Sequence, residues 1–355
     1  MAVSSGDAHM TKANRRQFLR ASFAGAAALY CHDLWAAAAQ PSILATHGVV
    51  LVPDDLSLGD WPERAKQAGL STVGIHGASP KAVVVWVQSD AGQRFLAQCR
   101  RLGLEVEYEL HAMRELLPRD LFKKNPELFR INDKGERTPD ANCCVHSQRG
   151  LETIAQTAVE IAKVLRPTTG RYFYWGDDGQ PWCLCPKCRG LSPSEQALLV
   201  ENRILQALRN LDPKAQVAHL AYANSLQPPK QIKPSEGVFL EYAPISRRYD
   251  IPYVQQDLNR PDGLHALDAN LEVFPKDTAQ ALEYWLDVSR FSGWRQPAVK
   301  LPWKREVFLA DVEAYRKRGI RHITTFAVWV DANYKNRFGN LDFIGEYGKG
   351  LAGEP

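Results

Sequence analysis

The sequence carries no block of basic residues and no arginine-rich arm, which argues against nucleic acid as a partner. Its net charge is only +4 over 355 residues. Half of that excess sits in residues 1–39, through Lys12, Arg15, Arg16 and Arg20 against Asp7 and Asp33. The nearly balanced remainder suits a neutral or mildly charged ligand. No apolar run is long enough to span a bilayer. There is no internal repeat, no low-complexity linker and no break in composition after the N-terminal segment. A hydrophobic share of 45% and a charged share of 24% exclude a disordered or fibrous chain.

The first feature present is a leader. NRRQFLRASFAGAAALY sets the pair Arg15–Arg16 before Phe18 and Leu19, then a short alanine-rich apolar segment. That layout is a twin-arginine export signal. A basic amphipathic helix is the lesser reading. The expectation is a signal over residues 1–39, a mature domain over 40–355, transient contact with the twin-arginine translocase, and a periplasmic or secreted product. Such substrates cross the membrane folded, which suits a protein that loads a metal first.

Eight apolar, β-branched or aromatic runs follow: STVGIHG, LEVEYELHA, NCCVHS, RYFYWGDD, QVAHLAY, VFLEYAP, QALEYWLDV and HITTFAVWVD. Helical spacing lies between several of them. Leu151, Ile154, Ala158, Ile161, Ala162 and Leu165 repeat every three or four residues up to Pro167. Ser192-Pro193-Ser194-Glu195 is a capping box with proline at the first helical position. Phe308, Val312 and Tyr315 lead through Gly319 into the last strand. Alternating strands and helices predict a parallel sheet, and eight strands without a break predict a closed α/β barrel of the (β/α)8 TIM type, with a small cysteine-rich insertion after strand 4. Residues 40–60 read as an extra N-terminal piece and 113–141 as a long loop.

In such a barrel the chemistry lies at the C-terminal strand ends. Those ends carry His76, Glu109 or His111, Asp177 with Asp178, Glu241, Asp287 and Asp331. A carboxylate is costly to bury unless something pairs or uses it. Trp175, Tyr242 and Trp329 lie close by, as do Tyr174, Trp182, Trp285, Trp294 and Trp303. Aromatic faces of this kind stack on sugars but also fill cores. Asp-Asp-Gly is, by itself, ordinary turn chemistry.

Cys183-x-Cys185-x-x-Cys188 is dense enough to be a ligand set. Thiolates hold zinc tetrahedrally, and Cys144 is the natural fourth donor, with His146 in reserve. The rival is a pair of disulfides, Cys185 with Cys188 and Cys183 with Cys144, since an exported chain meets oxidant. Four thiolates would close the metal's coordination, so the zinc would be structural.

HAMRELLPRDLFKKNPELF, CCVHSQRGLE, DDGQPWCLCPKCRGLSPSEQ, VFLEYAPISRRYD, LEYWLDVSRFSGW and ITTFAVWVDANY, in that order, resemble the family called domain of unknown function 4838. The resemblance spans roughly residues 70 to 347. That family is similar to glycoside hydrolase barrels, and part of it is classed as glycoside hydrolase family 163, with endo-acting β-N-acetylglucosaminidases. The resemblance implies a carbohydrate-active barrel without an organic cofactor. It departs at His146 and Ser147, where relatives often carry Ser-Asn, and at Thr325, where some relatives place a glutamate.

On that basis Asp178 is expected to be the general acid, with Asp177 orienting the substrate and Glu241 and Asp331 as secondary catalytic candidates. His76, His111, Trp175, Tyr242, Asp287 and Trp329 are expected to bind substrate. The function expected is an exported hydrolase of an N-acetylhexosamine- or uronic-acid-containing glycan, by acid-assisted or substrate-assisted cleavage. The alternative is a non-catalytic carbohydrate-binding barrel in polysaccharide processing or export.

Overall fold

Eight parallel strands close into a barrel in the computed structural model, which describes residues 44–354 except 258. The expected export signal, with Arg15 and Arg16, lies outside the described residues. The strands are β1 Thr46–Leu51, β2 Thr72–Ile75, β3 Glu105–His111, β4 Arg171–Trp175, β5 Gln216–Ala221, β6 Val238–Tyr242, β7 Gln280–Glu283 and β8 His322–Phe326. Each pairs with its neighbour in chain order, and β8 returns to β1 with Val50 opposite Phe326. Helices cross between most strands, as the (β/α)8 expectation requires. Among the described residues no helix is long and apolar enough to cross a membrane.

Two of the expected elements change place. NCCVHS is not a strand. Asn142 there takes a φ of 40°, Cys144 N–H bonds back to Leu128 O, and Ser147 begins the next helix as its cap. Its cysteine side chains turn into a thiol cluster, and the backbone follows them. The missing strand is β1, THGVVL, inside the segment read as an extra piece. Gly48 lets it sit in the barrel, because a Cβ there would meet Thr324 Cγ2 at 2.6 Å. The two differences cancel in the count, so RYFYW remains the fourth strand.

The helix signals hold. Ser192 Oγ accepts from Glu195 N–H at 3.2 Å, and Glu195 Oε2 accepts from Ser192 N–H at 2.8 Å, opening the helix Pro193–Leu208. The helix Gln148–Val164 buries Leu151, Ile154, Ala158 and Ala162. The helix Arg305–Lys317 buries Phe308, Val312 and Tyr315. It turns at Gly319, whose φ of 84° favours glycine, into β8.

The barrel interior is polar. Arg171 of β4 donates to Gln280 Oε1 at 3.0 Å and lies 3.7 Å from Glu107 Oε1. Gln280 Nε2 reaches both Glu241 and Thr324 at 3.2 Å. Glu109 is fully buried, and neither of its carboxyl oxygens has a partner. Burial first, then the neighbouring Glu241 and Glu107, push its carboxyl well above the usual range.

A second buried charge lies outside the strands. Arg247 bonds Asp311 at 2.7 Å and Glu283 at 3.1 Å, and all three side chains are fully buried. Its guanidinium also lies 4.0 Å from the Tyr249 ring centroid. Replacing Arg247 with Met leaves two carboxylates buried without their cation. The expected loss is about 3–5 kcal/mol of stability. Urea denaturation measures it, and a change below about 1 kcal/mol would contradict the burial.

Candidate functional site

At the C-terminal mouth of the barrel is a cavity of about 240 Å³. Its walls include Val52 after β1, His76 after β2, His111 and Trp175 ending β3 and β4, and Asp178. Tyr222, Tyr284, Asp287, Ser289, Trp294 and Phe326 complete the polar and aromatic lining. Parallel strand pairing sets His111 opposite Trp175, and their rings meet with centroids 5.0 Å apart. His76 packs against His111, Trp175 and Phe326 with centroids 5.4–6.0 Å away. Trp294, at φ 55°, is 62% exposed and stands at the edge of the opening.

Asp178 is the exposed acid of the site. Its side chain is 64% accessible, and its Oδ1 lies 3.8 Å from His111 Nε2. The Tyr222 hydroxyl faces it and is itself pushed up, by burial first and then by that carboxylate. Asp287, past the end of β7, is the second carboxyl on the wall. Ser289 O–H donates to its Oδ1 at 2.6 Å and Arg290 N–H to the same oxygen at 3.1 Å, leaving Oδ2 to the cavity. Burial raises its carboxyl above the ordinary range.

The other expected site residues are placed differently. Asp177 turns away from the cavity. Its Oδ2 accepts from Arg119 and from Asn142 N–H, each at 2.8 Å, and its side chain is 10% exposed. The adjacent aspartates therefore do not form an acid pair; successive residues on this turn point to opposite sides. Glu241 is fully buried in the barrel interior, where Trp175 Nε1–H donates to it at 2.7 Å. Burial pushes its carboxyl up to about 8. Tyr242 packs outside the strands, its hydroxyl donating to Gly263 O at 3.0 Å. Asp331 caps the helix Ala332–Phe338 by accepting from Tyr334 N–H at 2.7 Å. Trp329 holds a φ of 66°, its N–H donating to Asp55 Oδ1 at 2.8 Å. Asp55, a buried acid raised to about 7 mainly by burial, belongs to this loop junction. Thr325 faces away from the barrel interior, because Thr324 beside it bonds Gln280 inside. Its identity therefore says nothing about the cavity's chemistry.

Tyr222, Tyr284 and Ser289 escaped the sequence reading. Each lies one or a few residues past a strand end, the same positional signal that marked the acids, but a search for carboxylates passes over them. Arg119 and Asn142 also escaped it. Asn142 is the main clamp of the acid's loop: its Oδ1 accepts from Asp177 N–H at 2.9 Å and its Nδ2 donates to Gln180 O at 3.0 Å.

Beside that loop lie Cys144, Cys183, Cys185 and Cys188, all buried, with their sulfur atoms within 4.8 Å of one another. Cys144 Sγ lies 3.9 Å from the sulfurs of both Cys185 and Cys188. A disulfide needs about 2.05 Å, and all six cysteines of the described residues are free. A tetrahedron with metal–sulfur bonds of about 2.3 Å has edges of about 3.8 Å, so the four thiols fit a metal ion. Ile131 N–H donates to Cys183 Sγ at 3.3 Å, and His146 Nδ1 lies 3.2 Å from Cys188 Sγ. His146 is a neighbour of the cluster and not one of the four. Cys143 is buried outside the set.

The profile of the family described as Domain of unknown function (DUF4838) matches residues 85–290. No curated protein matches the chain. Among solved structures, a tri-modular GH5 (subfamily 4) endo-beta-1,4-glucanase from Bacillus licheniformis, complexed with cellotetraose, superposes with a TM-score of 0.50 at 10% identity. That match covers 88% of this chain and 60% of the glucanase. A glycoside hydrolase family 5 enzyme from Prevotella bryantii, in complex with a xyloglucan tetradecasaccharide, gives 0.47 at 10% identity, covering 88% and 98%. A family GH18 chitinase from Cycas revoluta, in complex with allosamidin, gives 0.47 at 10% identity, covering 87% and 99%. At such identities the likeness is one of fold.

Proposed function

The chain belongs to the DUF4838 family, and we propose that it is an exported glycoside hydrolase acting on a hexosamine-containing glycan. The observation that carries this reading is the pair Asp178 and Asp287, placed after β4 and β7 on the wall of one aromatic-lined cavity. Glycosidic cleavage needs a proton donor at the leaving oxygen and a second carboxylate as nucleophile or base. Asp178, at the rim, is the proton donor in this reading. Asp287, deeper and with Oδ2 free, serves the anomeric side. Trp294 and Trp175 offer faces for sugar rings. Asp177 takes no catalytic part and instead fixes the loop through Arg119.

The test is incubation of the purified chain with oligosaccharides of neutral, amino, N-acetylamino and uronic sugars, with products read by mass spectrometry. Cleavage in any series supports a hydrolase. Binding without cleavage throughout the panel supports the carbohydrate-binding alternative.

The four-thiol cluster is read as a structural zinc site. Zinc would take all four sulfurs and leave no open position, so its service is to the fold of the loop. Export through the twin-arginine route is read from Arg15 and Arg16. Changing both to Lys is expected to strand the precursor in the cytoplasm, as cell fractionation would show. Undiminished export of the double variant would refute the assignment.

A further inference from the structure

The cavity's lining is acidic, carrying the carboxyl groups of Asp178 and Asp287. His76 Nδ1 lies 2.7 Å from Glu109 O, and His111 Nδ1 lies 2.8 Å from Gly176 O. A carbonyl oxygen only accepts, so both Nδ1 atoms carry the proton. His76 is held neutral mainly by its burial, which leaves its Nε2 as a bare lone pair. Two donors of the wall are committed: Trp175 Nε1–H goes to Glu241 and Ser289 O–H goes to Asp287. Among the polar side chains of the lining, Asp178, Tyr222, Tyr284 and Trp294 make no hydrogen bond within the described residues and are open to a ligand. No lysine or arginine lines the cavity. The nearest guanidinium on the same loop, Arg290, is spent on Ile245 O and Arg247 O at 2.9 and 3.0 Å.

Against these stand two carboxyl groups, Asp178 and Asp287. His111 Nε2 and Asp178 Oδ1, 3.8 Å apart, are too distant to bond each other. One atom bearing several hydrogens can bond both. An ammonium supplies three donors and a positive charge. A uronate would bring a third carboxylate beside these two, and an acetamido group would bring no positive charge to pair with them.

We propose that the cavity selects a sugar with a free, protonated amino group, a de-N-acetylated hexosamine unit, over an N-acetylated or uronic one. This rests on the hydrolase reading only for the location of the site, since binding is measured apart from turnover. The experiment is calorimetric titration of the full mature chain near pH 6. The probes are β-1,4-linked tetramers of glucosamine and of N-acetylglucosamine, and an oligoglucuronate. The glucosamine tetramer is expected to bind at least about tenfold tighter than the N-acetylated one, with no detectable binding of the uronate. Asp178→Asn, at an exposed position that tolerates the change, is expected to weaken the glucosamine tetramer about tenfold and the N-acetylated one less than twofold. Equal or tighter binding of the N-acetylated tetramer, any binding of the uronate, or no binding of glucosamine would overturn the proposal. Tight glucosamine binding without cleavage would uphold it while removing the hydrolase reading.

Discussion

Asp178→Asn is expected to lower kcat on a natural glycan by two orders of magnitude or more. Asparagine keeps the shape of the side chain beside Tyr222 and His111 but has no proton to give a departing oxygen. A substrate with a strongly acidic leaving group needs little protonation, so it should escape much of the loss. Asp287→Asn is expected to fail on both substrates, because the anomeric carbon needs its partner whatever leaves. It also keeps a side-chain oxygen for the Arg290 N–H cap, so the fold should survive. Asp177→Asn is the informative contrast. Its carboxylate serves Arg119 and Asn142, so that variant should lose stability and loop order while keeping the response to leaving-group acidity. Steady-state kinetics on one natural and one activated substrate separate the three. Wild-type turnover by Asp178→Asn would move the acid elsewhere, and selective rescue of Asp177→Asn by an activated substrate would restore the adjacent pair.

The barrel was legible because its strands carry strong local signals. VFLEY and HITTF read as strands on composition alone, and the capping box at Ser192 marks its helix to the residue. NCCVHS misled because β-branched and thiol residues look strand-like, whereas here four sulfurs demand convergence and the backbone bends to supply it. THGVVL is as long as most of the strands, but it stands directly after the expected export signal and so reads as an extension of it. Within the site, strand-end position found His76, His111, Trp175, Asp178 and Asp287. It could not tell which of two adjacent aspartates faces the cavity, since that depends on Arg119 and Asn142, more than thirty residues away in the chain. Nor could it separate the barrel interior from the mouth. Glu241 sits at a strand end in sequence, yet it lies beneath Trp175 in a network with Gln280 and Arg171.

The same loop carries the second large expectation. Asn142 precedes Cys143–Cys144 and clamps Asp177 and Gln180, and Cys183 lies five residues beyond Asp178, so the thiol cluster and the acid share one short piece of backbone. Protein purified without reductant is expected to hold close to one zinc per chain, and replacement by cobalt should give the absorption of a tetrahedral tetrathiolate. Cys144→Ser removes the only ligand that comes from outside the 183–188 segment. Without it the metal no longer ties that segment to the start of the helix Gln148–Val164. Structural zinc contributes on the order of 10 kcal/mol in small peptides. A barrel with its own core depends on it less, so a loss of several kcal/mol and a fall in melting temperature of about 10 °C are expected. Turnover should fall with it, because Asp178 loses its support. Cys143→Ala, outside the cluster, is the control: metal content should stay at one per chain even if packing suffers. Chelation of the wild type should reproduce the Cys144→Ser phenotype, and added zinc should reverse it only in the wild type. Metal-free wild-type protein, with a mass short of two or four hydrogens, would establish disulfides in place of zinc.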